Sequence, residues 1–332
     1  MAMSAPATGA SAAGATVVRQ GVAFGLQLSG DFPAPGLWSG VGSGRTRCAS
    51  LEIVPHAELA AAWRDRGGAT LLRLPVARSG PVLVVEAHPQ SGYLVHADGF
   101  GAYLIARDGR RLLVAPGAVA SWRWQRLLTA QALPVAALLQ GLELFHASAV
   151  QVDGRVVAIT GPSGAGKTTT AAQLVLAGAT FLTDDVLALE LEGDVVVAHP
   201  GPALMNLREP TTFLDAHERA RIGVELGRDE GGVRLRVRRK AQARPLQSIY
   251  LLRRTTGGGG ARLTRLSRPS PAQLLGAGFG SVVRTRDRLV RRLDLCAHLA
   301  EGTPVYELAA PAKAPPHAVA GAVLRHARGR VE

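Results

Sequence analysis

The chain has 332 residues, 47% of them hydrophobic, enough to bury a sizeable core and more than one domain usually needs. Lysine and arginine number 38 against 25 acidic residues, a net charge of +13, but only Lys167, Lys240 and Lys313 are lysines, and the arginines are dispersed outside 234–244 and 284–292. That pattern fits a solvated basic surface or an anionic substrate and argues against nucleic acid as a partner. No apolar run reaches the roughly 18 to 20 uncharged residues of a membrane span; the longest helical apolar stretch, 127–145, contains Pro134, Gln140 and Glu143, so no membrane partner is expected.

Residues 1–16 are mostly alanine, serine and glycine, with neither a basic start nor a long apolar block, and read as a disordered tail and not a signal peptide. Two cysteines, Cys48 and Cys296, lie in no metal-ligand spacing, and such sparse usage fits a reducing compartment, the cytoplasm. From 17 to about 120, short β-like runs alternate with turn residues: Thr70 to Leu74, Val82 to Glu86, Gly92 to His96, Ala102 to Ala106 and Arg111 to Val114, with Asp108-Gly109 a hairpin signal between the last two. The expectation is a small β-rich domain that serves packing, contact in a homo-oligomer, or substrate recognition. Residues 121–145 read as a linking helix, or two helices broken at Pro134.

The second domain, 146–332, opens with a run to Val152, a turn at Asp153-Gly154 and a buried strand, Val156-Val157-Ala158-Ile159-Thr160. There follows Gly161-Pro162-Ser163-Gly164-Ala165-Gly166-Lys167-Thr168-Thr169-Thr170, a complete phosphate-binding loop. Gly161 and Gly166 let backbone N–H groups turn toward phosphate oxygens, Lys167 supplies a point charge, and the Thr168 hydroxyl suits Mg²⁺. Apolar residues at helical spacing then run to a C-cap at Gly178, so the helix N-terminus faces the loop. Beyond it come Thr180 to Thr183, the pair Asp184-Asp185, and strands at 186–192 and 195–198 around Gly193-Asp194. Strand pairs dominate, which points to a mixed sheet with hairpins. Residues 219–237 read as a polar, mobile loop, 246–253 as a strand, 271–300 as a helical stretch interrupted by Gly276, Gly278 and Gly280, 303–308 as a late strand and 317–328 as a closing helix.

Asp184 and Asp185 follow a short apolar strand, where a phosphoryl-transfer site needs metal-holding and proton-accepting carboxylates. His146, at the junction of the linker and the hairpin, can orient or polarise reacting groups. Together, His146-Ala147-Ser148-Ala149-Val150, the loop 161–168 and Leu182-Thr183-Asp184-Asp185 resemble, in order and spacing, the HPr kinase/phosphorylase family over about 145–200. The chain looks especially like the HPr-kinase-like enzymes of ribosomally made peptides, lasso peptide tailoring kinases among them. The resemblance implies an α/β (α+β overall), P-loop-containing, HPr kinase/PEP carboxykinase-like mixed-sheet domain behind a smaller β-rich one.

It also implies ATP and Mg²⁺, with Gly161, Pro162, Ser163, Gly164, Ala165, Gly166, Lys167, Thr168 and Thr169 around the phosphates. Asp184 would accept the substrate hydroxyl proton, Asp185 would partner the metal with Thr168, and His146 would line the site. The Glu-x-Arg-Gly-x-Gly signature of HPr kinases has no counterpart; 202–209 stands in its place, which argues against HPr as substrate. Arg208, Arg239 and Lys240 are candidate phosphate or substrate contacts, whereas Arg238 reads as a surface arginine. The expected activity is phosphorylation of a Ser or Thr hydroxyl of a peptide or small protein. A non-catalytic ATP-binding module and a small-molecule hydroxyl kinase are the alternatives. The Leu-Ser-Gly-Gly-Gln-like signature of transporter ATPases appears only as Leu28-Ser29-Gly30-Asp31, in the wrong half, and no Asn-Lys-x-Asp guanine reader exists.

Overall fold

The computed structural model describes residues 18–32, 36–37, 47–63, 68–75, 81–208, 214–229, 231–238, 241–267, 269–279 and 282–329. The expected tail at 1–16 and the candidates Arg239 and Lys240 lie outside them. In chain order the first half contains β1 (Val18–Ala23), β2 (Leu26–Phe32), β3 (Arg47–Ile53), α1 (His56–Ala62), β4 (Ala69–Pro75), β5 (Val82–His88), β6 (Gly92–Ala97), β7 (Gly101–Ile105) and β8 (Arg111–Pro116). They build one sheet in the order β1-β2-β3-β8-β7-β6-β5-β4. The pairs β2/β3 and β3/β8 are parallel and the rest antiparallel. The Asp108-Gly109 turn joins β7 to β8, with Gly109 at φ +70° and the Asp108 carboxylate accepting the Arg110 N–H at 2.9 Å.

A helical layer follows: α2 (Ser121–Leu127), a π-helical turn at Leu128–Ala132 and α3 (Leu133–Leu139). Its apolar side chains, Leu128, Leu133 and Leu138 among them, share a single core with Leu28, Leu51, Val95 and Ile105 of the first sheet. Leu144 and Ala188 of the second half belong to the same core, so the two halves pack across one continuous apolar layer.

The second half contains β9 (Glu143–Phe145), β10 (Ala147–Val152), β11 (Arg155–Thr160), α4 (Lys167–Leu176), β12 (Thr180–Thr183), β13 (Leu187–Glu192), β14 (Val195–His199) and β15 (Leu204–Leu207). Then come α5 (Ala216–Ile222), β16 (Gly223–Asp229), β17 (Gly232–Val237), β18 (Arg244–Thr255), β19 (Arg262–Arg265), α6 (Pro271–Leu275), α7 (Arg286–Gly302), β20 (Val305–Pro311) and α8 (Pro316–Ala327). Among the described residues the main sheet runs β12-β10-β11-β18-β14-β13-β9, with β20 on β18 and β19 on β20; β15-β17-β16 form a smaller sheet. The fold is a mixed α/β structure. In β11, Val156 to Thr160 are all buried: Val157 and Ile159 share a core with α4 and α8 on one face, and Val156 and Ala158 share another with α7 on the opposite face. The parallel register of β11 and β18 brings both C-terminal ends to one rim of the sheet, and that rim carries the glycine loop.

Three expected elements differ. Pro134 does not break a helix: it falls in the first turn of α3, where its missing N–H breaks no helical bond, and the preceding π-helical turn leads the chain into that turn. The end of the expected linker, Glu143–Phe145, is strand β9, paired antiparallel to β13. The expected mobile loop at 219–237 is the end of α5 followed by the β16/β17 hairpin, with Arg234 inside a strand whose neighbours Val233 and Leu235 are buried. The helical stretch 271–300 is interrupted at Gly276 and Gly278, leaving a five-residue α6 and a long α7; Gly278 instead bridges to Phe145, and Gly280 lies outside the described residues. Among the described residues no helix is long and apolar enough to cross a membrane.

Candidate functional site

The loop between β11 and α4 is shaped by its glycines. Gly166, at φ +102°, caps α4 and faces the Arg254 guanidinium, where a Cβ would lie 2.6 Å from Nη2. Gly161 has φ +148°, and a Cβ there would strike the Leu252 carbonyl. The first-turn N–H groups of α4 and the helix dipole aim at the space above the loop, a disposition suited to an anion. Ser163 and Gly164 are exposed at the loop tip, Ala165 is buried beneath it, and Thr169 lies half-buried in the first turn of α4.

Lys167 is only 6% exposed, and its ammonium donates to the carbonyls of Gly161 at 2.9 Å and Pro162 at 3.2 Å. Burial pushes its pKa down, while the charges of Asp185 and Asp184 oppose that shift. The Thr168 hydroxyl donates to Asp184 Oδ1 at 2.8 Å, and Ser148, from β10, donates to the same oxygen at 2.7 Å. Among the described residues Asp184 Oδ2 accepts only the Asn206 backbone N–H, at 3.2 Å. Burial, reinforced by the charge of Asp185, raises the Asp184 carboxyl to about 7 against the pull of those three hydrogen bonds.

Asp185 adopts a left-handed backbone conformation, φ +65°, uncommon outside glycine and tolerated best by Asp and Asn. That turn presents its carbonyl to His146 Nδ1 at 2.9 Å. A carbonyl only accepts, so Nδ1 carries the proton and Nε2 keeps its lone pair. The His146 pKa is lowered by burial first and by the Lys167 charge second, which keeps the ring neutral near pH 7. His146 is fixed further by its own N–H to the Ala277 carbonyl at 2.6 Å and by Phe279, stacked at 6.3 Å between centroids.

The structure therefore brings the loop, Lys167, Thr168, Asp184, Asp185 and His146 together. Arg208 is exposed at the end of β15, with Nη1 3.5 Å from Ser163 Oγ, and its charge acts on both His146 and Lys167. Of the two carboxylates it is Asp184 that touches Thr168. Three further groups at the site carry little or no signal in the sequence. Ser148 stands inside the segment that carries the resemblance, two residues from the more conspicuous His146. Asn206 contributes only a backbone N–H, which leaves no signal in a sequence. Arg254 donates from Nε to the Ala165 carbonyl at 2.7 Å and from Nη1 to Pro311 at 3.3 Å, bracing the loop from the end of β18. Its only signal in the sequence is its place next to the expected strand 246–253.

A glycine loop at a helix N-terminus, a lysine and a carboxylate pair define a site suited to holding phosphate groups and a hard cation. No family model matches the chain, and no curated protein matches it. Among solved structures it is similar to the Hpr(Ser) kinase/phosphatase from Coxiella burnetii, with 14% identity over 56% of this chain and 97% of that chain, at a TM-score of 0.32.

Proposed function

We propose that the protein is an ATP- and Mg²⁺-dependent kinase that transfers the γ-phosphoryl group to a Ser or Thr hydroxyl of a peptide or small protein. The observation that carries this reading is the convergence of Lys167, Thr168, Asp184 and His146 on one rim of the sheet, with Asp184 raised to about 7. A carboxylate poised there suits general-base work near neutrality.

The residues present fit both groups. The loop's backbone, turned at Gly161 and Gly166 where positive φ and the closeness of Leu252 and Arg254 leave no place for a side chain, suits the phosphates. Thr168 and the aspartates offer hard oxygen donors of the kind Mg²⁺ takes. When bound, the cation neutralises charge on the phosphate oxygens. Donation of the Thr168 proton to Asp184 leaves the hydroxyl's lone pairs to face that cation, and Asp185 supplies the second carboxylate. Lys167 leaves the loop carbonyls for the outer phosphates. The acceptor oxygen attacks the γ-phosphorus, the bond to the β–γ bridging oxygen breaks, ADP leaves, and the hydroxyl proton passes to Asp184 Oδ2, the oxygen with spare accepting capacity. His146, held neutral, positions Asp185 through its carbonyl.

The resemblance of the three sequence motifs to peptide-tailoring kinases supports a ribosomally made peptide as the acceptor, and the absence of the HPr-kinase signature argues against HPr. The test is incubation with γ-labelled ATP, Mg²⁺ and serine-bearing peptides, comparing the native chain with Asp184→Asn. Label on the peptide hydroxyl that disappears in the variant supports the reading. Tight nucleotide binding without transfer, indifferent to Asp184, would mark a non-catalytic nucleotide-binding module instead.

A further inference from the structure

Beside His146 lies a cavity of about 400 Å³. Leu72 and Leu74 of β4, Leu138 of α3, and Phe279 and Val282 between α6 and α7 supply much of its wall. Two polar side chains line it, Gln131 and His146, and no charged one does among the described residues. This volume falls in the lower part of the usual range for small-ligand cavities, roughly 300–1,000 Å³. It admits a few apolar side chains and no folded domain. An uncharged apolar wall disfavours sugar phosphates, nucleotides and other charged acceptors, because nothing there compensates the lost hydration of a charge.

The cavity has two neighbours that say what fills it. One is the transfer site: His146 lines the cavity and also holds the Asp185 backbone carbonyl, so the cavity and the Asp184-Asp185 turn meet at a single side chain. The other is the end of the first sheet. Among the described residues β4 pairs with β5 alone, and its other edge is open. Leu72 and Leu74, two residues apart on the same face of β4, both reach the cavity, while Leu74 is 49% and Leu71 38% exposed. An open strand edge beside a pocket for apolar side chains is the arrangement by which extended peptides are bound.

From these observations we infer that the cavity is the acceptor subsite: it takes the apolar side chains that flank the phosphorylated hydroxyl of an extended peptide, and the β-rich half is present to form its outer wall. The inference rests on the kinase reading for the identity of the acceptor, but the binding it describes is measurable without turnover.

The test uses the full chain and two fluorescein-labelled decapeptides with a central serine, one flanked by leucine and valine, the other by aspartate and lysine. Anisotropy is measured for the native chain, for Leu74→Asp at the rim and for Leu72→Trp in the wall, with affinity for a fluorescent ATP analogue measured alongside to report an intact fold and loop. The apolar peptide is expected to bind the native chain at least ten-fold more tightly than the charged one. Both variants are expected to lose at least ten-fold of that affinity while nucleotide affinity stays within two-fold. Equal binding of the two peptides, undiminished binding by both variants, or no binding of either peptide at millimolar concentration overturns the inference. Cavity-dependent binding of a peptide that never receives label from ATP leaves the subsite standing and sinks the kinase reading. Label transferred with unchanged KM in both variants does the reverse.

Discussion

Replacing Asp184 by asparagine should stabilise the protein at alkaline pH while abolishing transfer. The carboxyl is 9% exposed, and its pKa stands at about 7 against an ordinary 3.8, chiefly because burial penalises the charge and Asp185 adds to the penalty. A raised carboxyl pKa means that the folded state binds the proton more tightly than the unfolded chain. The associated stability is therefore fully present below about pH 4 and is lost as the pH rises through about 7. At 1.36 kcal/mol per unit, the loss between pH 5 and pH 8 is about 3 kcal/mol.

Asparagine has the same shape and no charge. It keeps an oxygen for Ser148 and Thr168 but turns an amide toward the Asn206 N–H, at a cost of about 1–3 kcal/mol independent of pH. Urea unfolding in chelator-containing buffer should therefore show the stability of Asp184→Asn relative to the native chain rising by about 3 kcal/mol from pH 5 to pH 8. Mg²⁺ added at pH 8 should stabilise the native chain and leave the variant unmoved. A difference that is flat across this range would refute the assignment of a strained, buried carboxylate, and so would a variant that still transfers phosphate.

Glu190 gives the opposite sign. Its burial would raise the pKa, but hydrogen bonds from His199 at 3.0 Å and Arg47 at 2.8 Å, with the Arg47 charge, outweigh that and hold it down at about 2. Its contribution is present above about pH 4.5 and is lost as the pH falls toward 2. Glu190→Gln should thus cost about 3 kcal/mol in urea unfolding at pH 7, a gap that closes in acid. Gly166→Ala forces a side chain into left-handed backbone and against Arg254; a fluorescent ATP analogue should bind at least ten-fold more weakly while circular dichroism is unchanged. Arg254→Met removes the brace on the Ala165 carbonyl and should raise the Kd for the same analogue about five-fold, without the loss of fold that a core residue would show.

What the sequence disclosed and what it hid divide along physical lines. Strand, glycine loop and helix were legible because each glycine answers a local backbone demand and the flanking periodicities are unambiguous. The Asp108-Gly109 and Asp153-Gly154 turns were legible for the same reason: Asp153 at φ +48° and Gly154 at +80° are conformations that few residue pairs accept. The β16/β17 hairpin was hidden because its outer strand is largely exposed and Arg234 is buried in its inner strand, so no two-residue alternation survives. Arg234 is held there by the Trp122 carbonyl and the Thr129 hydroxyl, more than a hundred residues away in sequence. Strand β9 was hidden by its three-residue length at the end of an apolar helix. The cavity beside His146 draws its walls from three separate stretches of chain and exists only once the fold does.

Transfer of the γ-phosphoryl group to a peptide hydroxyl is the most direct test. The full chain is incubated with γ-labelled ATP, Mg²⁺ and a panel of serine- and threonine-bearing peptides with apolar flanks, in parallel with Lys167→Ala and Asp184→Asn, and products are located by mass spectrometry. The expected result is phosphate on the hydroxyl side chain for the native chain and none for either variant. ATP bound with native affinity, no phosphopeptide across the panel, and the same residual ATP hydrolysis with and without Asp184 would contradict the account.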